Sequence, residues 1–434
     1  MEPISAGILG IILLFVLLAI GLPIGVSMAL IGTAGIWLLI SGSAAVAKLA
    51  IVPFSLASKY DFIVLPLFLL MAEIIFVTDM GKDLYTLAAK WLGRFRGGLA
   101  MATIAGCAGF STISASSLAT VATMGAVAKP EMDKYSYHPR LSTGCIAAGS
   151  NLGTLIPPSG ILIIYGILTE TSIGKLFIAG IIPGILLALF YIVTIYIICL
   201  LNPNLGPRAE KSTVKEKILA FKHCGEILVL IVIVIGGLVL GWFTPTEAGA
   251  VGAAGAIFIS MIRRRLTWER FKSAIFKTMR TTGLIYGILI GAFILNSFLA
   301  VSNIPNALAS FASGLTLPPI GIMAIIMLIY LVLGCFLDAA AMQVLTIPIF
   351  FPIAIHLGFD AIWFGIIVAR AVEIAMITPP MGMNVFVMAG IARDVPMYTI
   401  FRGIIPFLIA DLIHVALLIL FPALALFLPS LSAK

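Results

Sequence analysis

Long apolar stretches separated by short polar connectors run along the whole chain, and their order occurs twice. From the N-terminus, two apolar spans (about 7–21 and 24–41) lead to an amphipathic stretch (about 44–58) and a third span (about 62–78). A longer apolar region with a polar centre follows (about 98–128), then a span interrupted by a double proline (about 142–168) and a last span (about 176–201). The second half reads in the same order, as 227–242, 246–262, 263–280, 281–300, 320–356, 361–391 and 397–420. Runs of this length and apolarity predict helices that cross a hydrocarbon core.

Three matched motifs set the register of the duplication. Pro23 pairs with Pro245, Pro157-Pro158-Ser159-Gly160 with Pro379-Pro380-Met381-Gly382, and Gly180-Ile181-Ile182-Pro183 with Gly403-Ile404-Ile405-Pro406, each about 222 residues apart. One such match in an apolar protein means little, whereas three in the same order at a constant offset indicate two copies of one unit. The repeats extend over 6–201 and 226–428, with a connector at 202–225.

The region before each double proline reads as a re-entrant hairpin. The centre of the first, Ser111-Thr112-Ile113-Ser114-Ala115-Ser116-Ser117, is too polar to face lipid, so it must be buried in protein or line a cavity. Each repeat then crosses the membrane about five times, and an odd number places the second copy upside down. Charge gives the same answer. Lys82, Lys90, Arg94 and Arg96 lie in the 79–98 linker, whose counterpart at 302–319 has no Lys or Arg. Arg263, Arg264, Arg265, Arg270, Lys272, Lys277 and Arg280 lie at 263–280, against Lys48 and Lys59 near 42–60. With the basic partner of every pair in the cytoplasm, both termini fall outside. The expected fold is therefore an all-α polytopic membrane protein of two inverted repeats, with re-entrant helical hairpins and broken helices.

Composition agrees: 62% of the 434 residues are hydrophobic and 10% charged, with mean hydropathy +1.20, too little charge for a water-facing surface. The net charge of +8 is concentrated in a few linkers, a membrane-topology signal and not a nucleic-acid footprint. Cys107, Cys145, Cys199, Cys224 and Cys335 have no metal-ligand spacing and read as packing residues. The first 20 residues lack a basic start and continue into apolar sequence, unlike a removable signal peptide.

Candidate chemistry sits at the breaks. Two successive prolines leave nearby carbonyls unpaired, and these, with hydroxyls and amides, can replace the hydration shell of a small cation. Half-helix N-termini suit an anion. The cation candidates are Ser114, Ser116 and Ser117 at the first hairpin tip with Asn151, Gly153, Thr154 and Pro157 at the first break. Their counterparts are Asp338 and Ala340 at the second tip with Glu373, Thr378 and Pro379 at the second break. The substrate candidates are Ser116, Pro158, Ser159, Arg370, Pro380, Gly382 and Asn384. Arg370 and Glu373 share a helix face three residues apart, so Arg370 is expected either to pair with Glu373 or to hold a substrate anion. Glu73, Glu247, Asp411 and His414 read as packing or interface residues. There is no Walker A loop, HExxH or dinucleotide glycine fingerprint, so an ion gradient or a partner must supply the energy.

The stretches "NLGTLIPPS" and "YGILTETSIGKLFIAGIIPG" within 147–182, "EIAMITPPMGMNVFVMAG" at 373–390, and the hairpins "GFSTISASSLATVATMGAVAKPEM" and "GCFLDAAAMQVLTIPIFFPIA" resemble the large membrane subunit of TRAP (tripartite ATP-independent periplasmic) transporters. Asn151-Leu152 departs from the smaller or less polar residues expected there. The resemblance implies a scaffold and a mobile domain working as an elevator in the bacterial inner membrane, sodium as the coupling ion, and no other cofactor. It also implies a separate small membrane (Q-type) subunit of about four helices, a periplasmic substrate-binding protein, and small organic acid substrates (carboxylates or sulfonates). A stand-alone sodium/dicarboxylate symporter is the alternative within the same superfamily. An intramembrane enzyme is a distant one, because the four histidines are scattered.

Overall fold

The computed structural model describes residues 2–114, 116–210 and 212–431, and Ala115 of the first tip lies outside them. The described residues form twenty α-helices and no strand. The first half contains α1 (Pro3–Ala19), α2 (Ile24–Leu39), α3 (Gly42–Ser58), α4 (Val64–Val77), α5 (Met80–Leu92), α6 (Gly98–Ser114), α7 (Ser117–Lys134), α8 (Pro139–Gly149), α9 (Gly160–Thr169) and α10 (Ile173–Leu201). The second half contains α11 (Val214–Val239), α12 (Pro245–Ile262), α13 (Trp268–Val301), α14 (Ile304–Gly314), α15 (Pro319–Leu333), α16 (Ala339–His356), α17 (Ala361–Ile377), α18 (Met383–Ile391), α19 (Met397–Leu420) and α20 (Ala423–Leu431). The hairpin helices α6–α7 and α15–α16, and the broken pairs α8–α9 and α17–α18, recur in the same order.

Among the described residues seven helices are long and apolar enough to cross a membrane, including α10 and α13. Large apolar side chains such as Trp37, Phe54, Val232, Trp242 and Leu284 are exposed on the outside of the bundle, as expected where the surrounding solvent is hydrocarbon. Four cysteines are buried and Cys335 is partly so, all of them free thiols.

The two halves are interlocked. Helices α2 and α13 cross so closely that a Cβ on Gly25 would overlap the Gly287 carbonyl, and one on Gly291 would overlap the Gly25 carbonyl. Small residues allow this backbone contact, which membrane helices use in place of a hydrophobic driving force. Helix α4 lies along α12, and α8 along α19.

Three features depart from the sequence reading. The second copy's amphipathic stretch and following span are one helix, α13, of 34 residues. In the first copy the chain leaves α3 at Ser58 and makes a short 3₁₀ turn (Tyr60–Ile63) before α4, whereas nothing interrupts α13. At 1.5 Å per residue α13 is about 51 Å long, well beyond the ~30 Å apolar core. Its basic first third therefore extends past the lipid tails. The 79–98 and 302–319 linkers contain helices, α5 and α14, each entered through a left-handed residue, Asp79 (φ 57°) and Asn303 (φ 58°). The basic group at 263–265 also has specific partners. Asp83 on α5 accepts from Arg263 (2.8 Å) and Arg265 (2.9 Å), and Arg263 reaches Glu226 and the His223 carbonyl.

Glu247 has a definite structural role. Thr244 caps α12, its hydroxyl accepting from the Glu247 N–H (3.3 Å), while the Glu247 carboxylate accepts from the Thr244 N–H (2.8 Å). Such a capping box satisfies two otherwise unpaired donors. Thr244→Ala is expected to cost about 1 kcal/mol. Thermal unfolding of the purified protein should show a lower midpoint with unchanged uptake per folded molecule.

Candidate functional site

The breaks follow from local chemistry. Helix α8 ends at Gly149, Ser150–Thr154 form a 3₁₀ turn, and the chain then passes through Pro157-Pro158. Prolines cannot donate to the preceding turn, so its carbonyls need other partners. Within the 3₁₀ turn Thr154 Oγ1 donates to the Asn151 carbonyl (2.9 Å). Ser159 restarts the helix as the cap of α9, accepting from the Leu162 N–H (3.3 Å). The second break is built alike. Thr378 Oγ1 donates to the Ile374 carbonyl (2.5 Å), and Gly382, at φ 57°, turns the chain into α18. Both proline pairs are joined by a cis peptide bond. The breaks differ in exposure: Pro157, Pro158 and Ser159 are buried, whereas Pro379 and Pro380 are exposed and Thr378 is partly so.

Each hairpin tip packs on a break. At the first, Ser114 and Thr120 share a hydrogen bond (2.9 Å), Ser116 caps α7 by accepting from Ala119 N–H (3.4 Å), and Ser117 is buried. Gly153 lies against this tip, so that a Cβ there would come within 3.3 Å of Ser111 Oγ and 3.8 Å of the Ser116 backbone. At the second tip Asp338 caps α16, accepting from Ala341 N–H (2.9 Å), and Ala340 lies in the helix's first turn. Gly334 beside it packs directly on Ala375 of α17. Asp338 also borders a cavity of about 710 Å³ lined by α2 and α13, including Pro23, Thr33, Gly283 and Gly287.

The two breaks meet at their equivalent positions. Asn151 Nδ2 donates to the Glu373 carbonyl (3.4 Å), and Asn384 Nδ2 donates to both Asn151 Oδ1 and Ser150 Oγ (each 3.1 Å). All four side chains are fully buried. Glu373 thus sits with the first half's break. The hydroxyl of Ser117 also lies close to its carboxyl, outside hydrogen-bond geometry. Both Glu373 carboxyl oxygens and Asn384 Oδ1 lack a hydrogen-bond partner. A fully buried carboxyl with no donor is costly to ionise unless a compensating charge stands beside it.

Arg370 does not pair with Glu373. Its Nη2 donates to Asp411 Oδ1 on α19, and the same oxygen accepts from Tyr191 OH on α10 (2.7 Å). Arg370 and Asp411 are completely buried, and Arg370 makes no hydrogen bond to either tip. The expected pair fails because a partner 41 residues away on a neighbouring helix is better placed than the residue one turn along. Asp411 is therefore a structural counter-ion, and His414 beside it hydrogen-bonds through Nε2 to the Pro183 carbonyl (3.0 Å). Two buried polar residues escaped the sequence reading, of which Ser150 belongs to the meeting point. Ser150 adjoins Asn151, and its polarity at the break was the available signal. Gln343 is fully buried on α16 with both amide atoms unpartnered, and an amide inside the apolar run 339–356 would have flagged it.

Two repeats with helical hairpins, and broken helices that meet at a buried polar centre, define a secondary transporter fold. The family model for "Tripartite ATP-independent periplasmic transporter, DctM component" matches residues 11–424, and the chain belongs to that family. It is 34% identical over 386 residues to the C4-dicarboxylate TRAP transporter large permease protein DctM of Pseudomonas aeruginosa, covering 89% of this chain and 90% of that protein. It is 31% identical to the sialic acid TRAP transporter large permease protein SiaM of Vibrio cholerae, covering 96% of both. Identity to the isethionate TRAP transporter permease protein DctMQ of Oleidesulfovibrio alaskensis is 32%, over 87% of this chain and 59% of that longer protein. Among solved structures, the Alcanivorax borkumensis YdaH transporter superposes with a TM-score of 0.56 at 14% identity, covering 89% of this chain and 88% of that one, a likeness of fold. The chain is thus a multi-pass inner-membrane permease subunit and not an enzyme.

Proposed function

We propose that this chain is the translocating subunit of a sodium-driven importer for a small organic acid anion that a periplasmic binding protein delivers. The observation that carries this reading is Glu373: its carboxyl is fully buried with both oxygens unpartnered, on the residue whose backbone carbonyl accepts from Asn151 where the two breaks meet. A monovalent cation there balances the charge, and amide and backbone oxygens replace its hydration shell. Cation binding braces the tips at Ser114, Ser116 and Ser117 and at Asp338 and Ala340, whose helix N-termini then receive the substrate carboxylate or sulfonate. The loaded domain then slides past the α2–α13 scaffold, with both chain termini on the periplasmic side. The relatives named for C4-dicarboxylates, sialic acid and isethionate all carry anionic substrates, which supports this class.

The test is uptake into proteoliposomes holding the chain with its small membrane partner, using labelled C4-dicarboxylate, sialic acid and isethionate. One substrate should accumulate when an inward sodium gradient and the binding protein are both present. Replacing external sodium with choline should abolish accumulation. Uptake indifferent to sodium would remove the coupling claim, and uptake without a binding protein would indicate a stand-alone symporter.

A further inference from the structure

We infer that Asp411 is a positioning residue that holds Arg370 away from Glu373, so that a cation and not the guanidinium neutralises the Glu373 carboxylate. This inference rests on the reading of Glu373 as the cation ligand. Arg370 and Glu373 stand three apart on α17, a spacing at which opposite charges normally meet. Here the guanidinium is turned to α19, where one oxygen of Asp411 accepts from it and also from Tyr191 OH of α10. Its Nε and Nη1 remain unpartnered, as does Asp411 Oδ2, so the arginine keeps donors to spare.

The repeat provides an internal comparison. The position matching Glu373 in the first half is Asn151, which is neutral, and the position matching Arg370 is Ala148. Aligning Pro183 with Pro406 places Ala188 opposite Asp411. The charged pair is therefore absent from the copy whose central residue carries no charge, and present in the copy with the carboxylate. The other titratable groups facing the cluster are Tyr191, which donates to Asp411, and His414, whose Nε2 is engaged by Pro183 and whose Nδ1 is unpartnered. Arg370 and Asp411 cancel, leaving one negative charge at Glu373 for one monovalent cation to balance. Without Asp411 the one buried acidic residue left among the described residues is Glu373, one turn along α17 from Arg370. A guanidinium settled there removes the need for the cation.

The experiment compares sodium activation of uptake in the reconstituted permease, with its small partner and binding protein, for wild type, Asp411→Asn, Arg370→Gln/Asp411→Asn and Glu373→Gln. Asp411→Asn should raise the sodium concentration for half-maximal uptake about tenfold or more, the scale of coupling between contacting charged residues. The charge-free double variant should return to within about threefold of wild type, since no arginine is left to compete. An unchanged half-saturation in folded Asp411→Asn overturns the inference, as does a double variant that has lost sodium activation. If Asp411→Asn does not fold, the double variant decides alone. Glu373→Gln separates the two layers. If it retains normal sodium activation, the reading of Glu373 itself fails; if it loses activation while Asp411→Asn does not, only the role of Asp411 fails.

Discussion

Replacing Glu373 with glutamine is expected to weaken sodium stimulation of uptake strongly while leaving a folded protein. The substitution keeps the side-chain volume and removes the one charge in the cluster that Arg370 and Asp411 do not cancel. A buried charged contact of this kind contributes about 1.5–3 kcal/mol, so sodium activation should weaken by about 10–100-fold. Because a buried lone carboxylate is itself destabilising, the glutamine variant should unfold at a temperature equal to or above that of the wild type in sodium-free buffer. Thermal unfolding in choline and in sodium separates the effects: sodium should raise the wild-type midpoint and leave that of the variant unmoved.

The second large effect is expected at Gly180. This residue begins the duplicated Gly-Ile-Ile-Pro motif, and α10 passes so close to the first break that a Cβ there would overlap the Leu155 carbonyl. Gly184, one turn on, packs against the Ile156 side chain. The Gly180 contact is with backbone and cannot yield as a side chain would, because Leu155 is fixed between the 3₁₀ turn and the double proline. Gly180→Val must displace the break itself, at a cost of about 1–3 kcal/mol of overpacking. Uptake should be lost even where the protein reaches the membrane, because the displaced carbonyls are those beside Asn151. Gly225→Val serves as the control, since nothing lies within 4 Å of its Cβ position. Normal uptake by Gly180→Val would show that the break tolerates movement and does not need a fixed geometry.

The parts of this fold that were legible from sequence are those governed by local chemistry. Apolar length marks the spans, double prolines mark the breaks, and a serine-rich tip inside an apolar run marks a hairpin. Each signal lies within a few residues, and the spans and double prolines occur twice, so the copies check one another. Helices α5 and α14 were hidden because short amphipathic segments between spans resemble polar linkers until they have a surface to pack on. The continuity of α13 was hidden for a related reason: the change from basic to apolar composition at residue 280 marks the edge of the bilayer and not the end of a helix. The partner of Arg370 was not legible at all. Asp411 lies on a different helix, and only the packing of α17 against α19 and α10 decides that it outcompetes the nearer Glu373. The meeting of Asn151 with Glu373 and Asn384 also belongs to tertiary structure, although their equivalence in the repeats identified both breaks as places to look.

The most direct test of the account is equilibrium binding of isotopically labelled sodium to the purified permease in nanodiscs, for the wild type and Glu373→Gln. Saturable binding that is reduced in the variant, with potassium unable to compete at equal concentration, is the predicted result. Absence of saturable sodium binding in the wild type, or identical binding by the two proteins, would contradict the assignment of the meeting point of the two breaks as the coupling site.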